Sequence, residues 1–70
     1  MKIELNDDEA LVLFDWLQRE DKRDALPTEH QAEKTILWSI LCQLEKVLVQ
    51  PFRNDYDKLV AAARDRVVEG

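Results

Sequence analysis

Glycine and cysteine are almost absent from this 70-residue sequence, which contains one of each. The glycine is Gly70, so the sequence holds no glycine-rich loop of the kind that binds phosphate. The cysteine, Cys42, has no second cysteine with which to form an intramolecular disulfide or a thiolate zinc site. There is one histidine as well, so we expect neither a metal nor a cofactor.

Long apolar runs are also missing. No stretch approaches the roughly 20 residues that a membrane-spanning helix needs, and residues 1–5 lack the apolar core of a signal peptide. We therefore expect no membrane association and a location in the cytoplasm. Residues 1–70 are expected to form a single domain, because chains divide into separate cores only well above this length.

Acidic residues outnumber basic residues by fifteen to ten, which gives a net charge of −5. Nucleic acid is therefore not an expected partner, because its binding depends on lysine and arginine. Acids near the start of the chain form a candidate acidic face for a basic protein partner. The alternative, which we favour, is that these acids have a structural role: most of them occupy the first turn of a helix, where the helix dipole favours negative charge. The acidic face consists of Glu4, Asp7, Asp8 and Glu9.

The hydrophobic pattern predicts an all-α protein, a bundle of three antiparallel helices. Asn6 and Glu9 form a capping box that begins the first helix, which we expect to end near Arg23. Thr28 and Gln31 form a second box for a helix over residues 29–50, stopped by Pro51, and Asn54 caps the third helix. The second helix has the apolar stripe Ile36, Leu37, Ile40, Leu41, Leu44, Val47 and Leu48, and the third has Tyr56, Leu59, Val60, Ala63 and Val67.

Several apolar residues lie outside the main stripes. Residues 1–5 alternate between apolar and polar, which predicts a short extended or strand-like N-terminal arm. Two i, i+4 pairs, one on each of the first two helices, point away from the main stripes. These features predict a homodimer, and the alternative is that the arm and the loop after Arg23 cover them within one chain. The predicted interface residues are Ile3, Leu5, Val12, Trp16, Trp38 and Cys42.

The residues available for catalysis are few. His30 and Cys42 are twelve positions apart on the second helix, about 18 Å along its axis, so they cannot act together. We expect no enzymatic activity. His30 is interpreted as a solvated surface residue, and Cys42 as a small packing residue beside Trp38, with a dimer cross-link or thiol sensor as the alternative.

The opening sequence IELNDDEALVLFDWL, over residues 3–17, resembles the start of a group of short, acidic bacterial proteins. These share an alternating arm, an acidic turn and an apolar E-A-L-V-L-F-x-[WF]-L helix, with looser similarity as far as Tyr56. The resemblance implies kinship but no activity, ligand or site. Small acidic proteins of this kind are often encoded beside toxins.

The sequence as a whole predicts a non-enzymatic protein–protein interaction module. One specific version is immunity-like or antitoxin-like, with the acidic face blocking a basic toxin. The alternative is a small subunit or adaptor that completes a hetero-complex through the helix face of Val12 and Trp16.

Overall fold

The computed structural model describes residues 1–48 and 54–70, which form three α-helices. Helix α1 spans Asp7–Lys22, α2 spans Gln31–Val47 and α3 spans Tyr56–Glu69. The helices pack against each other, and no strand occurs in this described part of the chain. The all-helical prediction is therefore confirmed. None of the described helices is long and apolar enough to span a membrane.

The start of α1 follows the predicted capping box. The Asn6 side chain accepts a hydrogen bond from the Glu9 backbone N–H at 2.8 Å, and the Glu9 carboxylate accepts one from the Asn6 N–H at 2.9 Å. Both bonds satisfy amides that the helix itself leaves without a partner. The helix ends at Lys22, with Arg23 as its C-cap, so both predicted ends of α1 are confirmed.

The start of α2 differs from the prediction. Its cap residue is His30, whose Nδ1 accepts a hydrogen bond from the Ala32 N–H at 2.9 Å. The Glu33 carboxylate accepts hydrogen bonds from the N–H groups of Glu29 and His30, at 2.6 and 3.4 Å. The predicted box at Thr28 is therefore wrong. A carboxylate that binds two backbone amides is a stronger acceptor than the neutral amide side chain of the predicted box.

The end of α2 also differs. The helix stops at Val47, because Leu48 adopts an extended backbone with φ −99° and ψ 135°. The predicted continuation to Gln50 is therefore wrong at Leu48. Pro51, the predicted stop signal, lies outside the described residues.

Helix α3 keeps most of its predicted face. Its cap position is Asp55 rather than the predicted Asn54. Val60 and Ala63 are buried, and two more members of the stripe are partly buried against the core. Val67 is exposed, so its predicted place in the stripe is wrong. It lies two residues before the end of α3, in the last turn of the helix.

The core forms around α1, which packs against both other helices, whereas α2 and α3 have far fewer described contacts with each other. Leu11 is the largest of the fully buried side chains, with 2% of its surface exposed, although the pattern places it on a flank. A helix with neighbours on two sides buries a wider arc than a single stripe. The buried apolar residues are Ala10, Leu11, Phe14, Leu44, Leu48, Val60 and Ala63.

A polar network on α1 holds α3 in place. Asp15 accepts a hydrogen bond from the Tyr56 hydroxyl at 2.9 Å and another from Arg64 at 3.1 Å. Burial, and then the hydrogen bond to Asp15, raise the pKa of the Tyr56 phenol above its ordinary value of 10.0. The network therefore fixes the neutral phenol against a carboxylate.

Candidate functional site

Helix α2 is unusually exposed, since Leu44 is the one buried residue among its seventeen. The single apolar stripe predicted for it is divided in the structure. Ile36, Ile40 and Val47 are 59%, 38% and 73% exposed, and we call these three residues the α2 ridge. At 100° per residue the predicted stripe covers roughly 140° of the helix, more than one neighbour can bury. The prediction that these three residues belong to the buried stripe of the helix is therefore wrong.

An apolar groove lies beside the ridge, with a volume of about 390 Å³. Three sides contribute to it: the exposed residues before α1, one residue of α1, and part of α2. Ile40 belongs to both the ridge and the groove, and Gln43 is the one polar side chain in its lining. The groove is lined by Met1, Ile3, Leu5, Leu13, Ile40, Gln43 and Leu44.

The middle of α2 carries no charge at all. Residues 35–44 read TILWSILCQL, although 36% of the chain is charged and ten average residues would hold between three and four charges. A helix that is apolar or neutral on every side is ordinarily buried on every side. This charge-free stretch is a sequence signal for the ridge, and hydrophobic periodicity alone does not reveal it.

The structure places the predicted interface residues in different settings. Ile3 and Leu5 both line the groove, whereas neither tryptophan does. Trp16 is about half exposed, but Val12 is partly buried against the core, so this pair does not form a free face.

The other predicted pair lies on the side of α2 away from the ridge. Trp38 is about half exposed, and its indole N–H donates to Asp21 at 3.3 Å, which ties α2 to the last turn of α1. Cys42 is exposed and its thiol is free. The indole therefore has a structural partner on α1, which the sequence pattern did not indicate.

Three of the four carboxylates of the acidic face have a partner within the chain. Arg66 binds Asp8 through two hydrogen bonds of 2.8 and 2.9 Å, and this pairing lowers the pKa of the Asp8 carboxyl. The Glu9 carboxylate is held by the capping box. Glu4 is exposed and lies 3.9 Å from Lys2, and Asp7 is exposed. The acidic face therefore presents less free charge than its composition indicates.

The other cleft of note is smaller, about 310 Å³, and lies along α1 near Tyr56. Two of its three cations lie beside carboxylates: Arg19 is 3.6 Å from Asp15, and Arg23 is 3.8 Å from Glu20. Over residues 1–48 and 54–70, no group of three or more His, Cys, Asp or Glu residues is placed to hold a metal ion. The groove and the ridge are therefore the best candidate for a functional surface.

Comparison of this chain with protein families, curated proteins and solved structures gives no match. By its fold and surface, the chain is a small helical protein with an exposed apolar groove.

Proposed function

We propose that this protein is a non-enzymatic protein–protein interaction module, and that the groove and the α2 ridge are its working surface. One observation carries the proposal, namely that large apolar side chains are exposed side by side on this surface. Exposed apolar patches of several hundred Å² mark interaction sites in soluble proteins. The exposed members are Met1, Ile3, Leu5, Ile36, Ile40 and Val47.

In this proposal the three helices form an antiparallel bundle, and residues 1–5 act as an extended arm that walls one side of the groove. The bond between Asp8 and Arg66 supports the antiparallel arrangement of α1 and α3, because it joins the start of one helix to the end of the other. A cytoplasmic location remains part of the proposal, since a free thiol such as Cys42 is typical of reducing compartments.

The two more specific versions remain predictions with less support. An antitoxin-like role needs free carboxylates on the acidic face, and Asp8 is already paired with Arg66. An adaptor role through Val12 and Trp16 needs both side chains free, and Val12 packs against the core. The groove requires neither condition.

The proposal is tested with a photoreactive residue placed in the groove. Replacing Gln43 with benzoylphenylalanine puts the reactive ketone on the lining of the groove without removing an apolar contact. We expect irradiation of the chain, purified and in cell extract, to give a discrete protein adduct. The adduct should be lost when Ile36→Glu is added, because a carboxylate on the ridge opposes burial of that surface.

The matched control carries the same photoreactive residue at Val68, which is 86% exposed on α3 and does not line the groove. This control should give no discrete adduct. If positions 43 and 68 react equally, or if position 43 gives no adduct under either condition, the groove is not a protein-binding surface and the proposal is wrong.

A further inference from the structure

We propose that the groove is occupied by a second copy of this chain, with the α2 ridge of each copy seated in the groove of the other. This inference rests on the proposed function and names its partner. Three independent features of the chain carry it: the amount of exposed surface, the position of the ridge beside the groove, and the distribution of charge.

The chain exposes more surface than a monomer of its size. Its accessible surface is 5666 Å², whereas a monomeric protein of 8.2 kDa exposes about 4,500 Å². Its radius of gyration is 12.8 Å, against about 11 Å for a compact domain of this length. The excess area, on the order of 1,000 Å², is close to the roughly 800 Å² that each partner buries in a stable interface.

The ridge and the groove are neighbours on the same face, and Ile40 belongs to both. A two-fold axis that passes near Ile40 would therefore place each ridge over the opposite groove. Two-fold dimers use one self-complementary patch twice, and a projecting ridge beside a groove is such a patch. An unrelated partner would need to supply both shapes itself.

Charge also favours a second copy over a charged partner. Each chain carries −5, so two copies repel wherever their carboxylates approach. Residues 35–44 hold no charge, and the groove is lined by apolar side chains and Gln43. The lining itself therefore brings no like charges together, and the one carboxylate of the adjoining arm, Glu4, lies 3.9 Å from Lys2. A basic partner finds no carboxylate in the groove to pair with.

The test is the mass of the chain in solution, measured by multi-angle light scattering and sedimentation at micromolar concentrations. We expect twice the chain mass of 8.2 kDa for the wild type. Ile36→Glu should weaken the dimer about a hundredfold or more, because the dimer would bury an unpaired carboxylate. Ile36 is 59% exposed, so the variant is expected to keep its helical circular dichroism. The matched control, Val68→Glu on α3, should remain a dimer.

The outcomes separate this inference from the proposed function. A wild-type monomer at every concentration overturns the second copy, and the proposed function stands if position 43 still gives an adduct with a different protein. A dimer that survives Ile36→Glu but is split by Trp16→Glu overturns the assigned face. A monomer with no adduct at position 43 overturns both.

Discussion

Asp8 belongs to α1 and connects this helix with α3. It lies in the first turn of α1, where the helix dipole favours a negative charge, and both of its carboxylate oxygens accept hydrogen bonds from Arg66 on α3. Asp7 shares the first turn but not the bond to Arg66. The two residues therefore separate the contribution of the dipole from that of the ion pair.

We predict that Asp8→Asn lowers the urea midpoint of unfolding at neutral pH and that its effect shrinks in acid. Arg66 lowers the pKa of Asp8 in the folded chain below its ordinary value of 3.8. The pair therefore stabilises the fold above that value, and this stability is lost as the pH falls through the lower folded pKa. Urea unfolding at pH 7 and at successive values below about 4 measures the difference.

Asp7→Asn is the control for Asp8→Asn, because it removes a first-turn charge and leaves the pair with Arg66 intact. It should lower the midpoint less at neutral pH. Equal effects of the two variants at every pH would show that the bond to Arg66 adds no stability.

Tyr56 is the one tyrosine of the chain, so its ionisation can be followed by absorbance without interference from a second phenol. Burial and the hydrogen bond to Asp15 raise its pKa in the folded protein. We predict a titration midpoint above 10.0 in buffer, a midpoint near 10.0 in concentrated urea, and an intermediate value for Asp15→Asn.

The sign of the stability effect follows from the raised pKa of Tyr56. The contribution of the neutral phenol is fully present below pH 10.0 and is lost as the pH rises through the folded pKa. Tyr56→Phe should therefore unfold less steeply with alkali than the wild type. A midpoint that is the same with and without urea would contradict the network described between α1 and α3.

Among the elements, helix ends were predictable where the cap is local and unique. The box of Asn6 and Glu9 at the start of α1 has no competitor nearby, and it forms as predicted. Before α2, two overlapping boxes are possible, because Thr28 and His30 each have a suitable residue three positions later. The sequence does not reveal which set of backbone amides the Glu33 carboxylate will reach.

We predict that the caps can be told apart by substitution at the start of α2. His30→Ala should lower the free energy of unfolding by about 1 kcal/mol, because the Ala32 amide loses its acceptor. His30→Asn should recover most of that loss, since asparagine is a good cap residue. Thr28→Ala should have little effect. Chemical unfolding followed by circular dichroism measures all three, and a larger loss for Thr28→Ala than for His30→Ala would restore the predicted box.

The faces of the helices were harder to predict than their ends. Periodicity places Ile36 and Ile40 in the same stripe as Leu44, and the structure exposes the first two because α1 covers one side of α2 only. A sequence pattern shows how wide an apolar arc is, but not which part of it a neighbouring helix reaches. The groove was predictable in part, through Ile3 and Leu5, because an apolar segment without a partner stands out in any arrangement of the helices.

For the molecule as a whole, the position of α1 explains why so much surface is left over. Among the described residues α1 packs against both other helices, so most of what α2 and α3 bury faces α1. On α3 the remaining surface is largely charged, whereas on α2 it includes the charge-free residues 35–44. Among the described residues, α2 therefore carries four of the ten large apolar side chains that are exposed, and three of these four form the ridge.

Salt distinguishes the two ways in which this chain could bind a partner. A dimer of this chain carries −10, the sum of two charges of −5, whereas the groove lining and residues 35–44 carry no charge. Raising the salt concentration from about 0.1 M to 1 M shortens the screening length from about 10 Å to about 3 Å and weakens the repulsion between the copies. We therefore predict that the dimer dissociation constant falls as NaCl is raised, as measured by sedimentation equilibrium.

Binding of a basic protein to the acidic face would weaken under the same change. The Ile36→Glu variant should remain monomeric at both salt concentrations. A wild-type dissociation constant that rises with salt would mean that attractive charges lie in the interface. Because residues 35–44 have none, that result would contradict the proposed dimer.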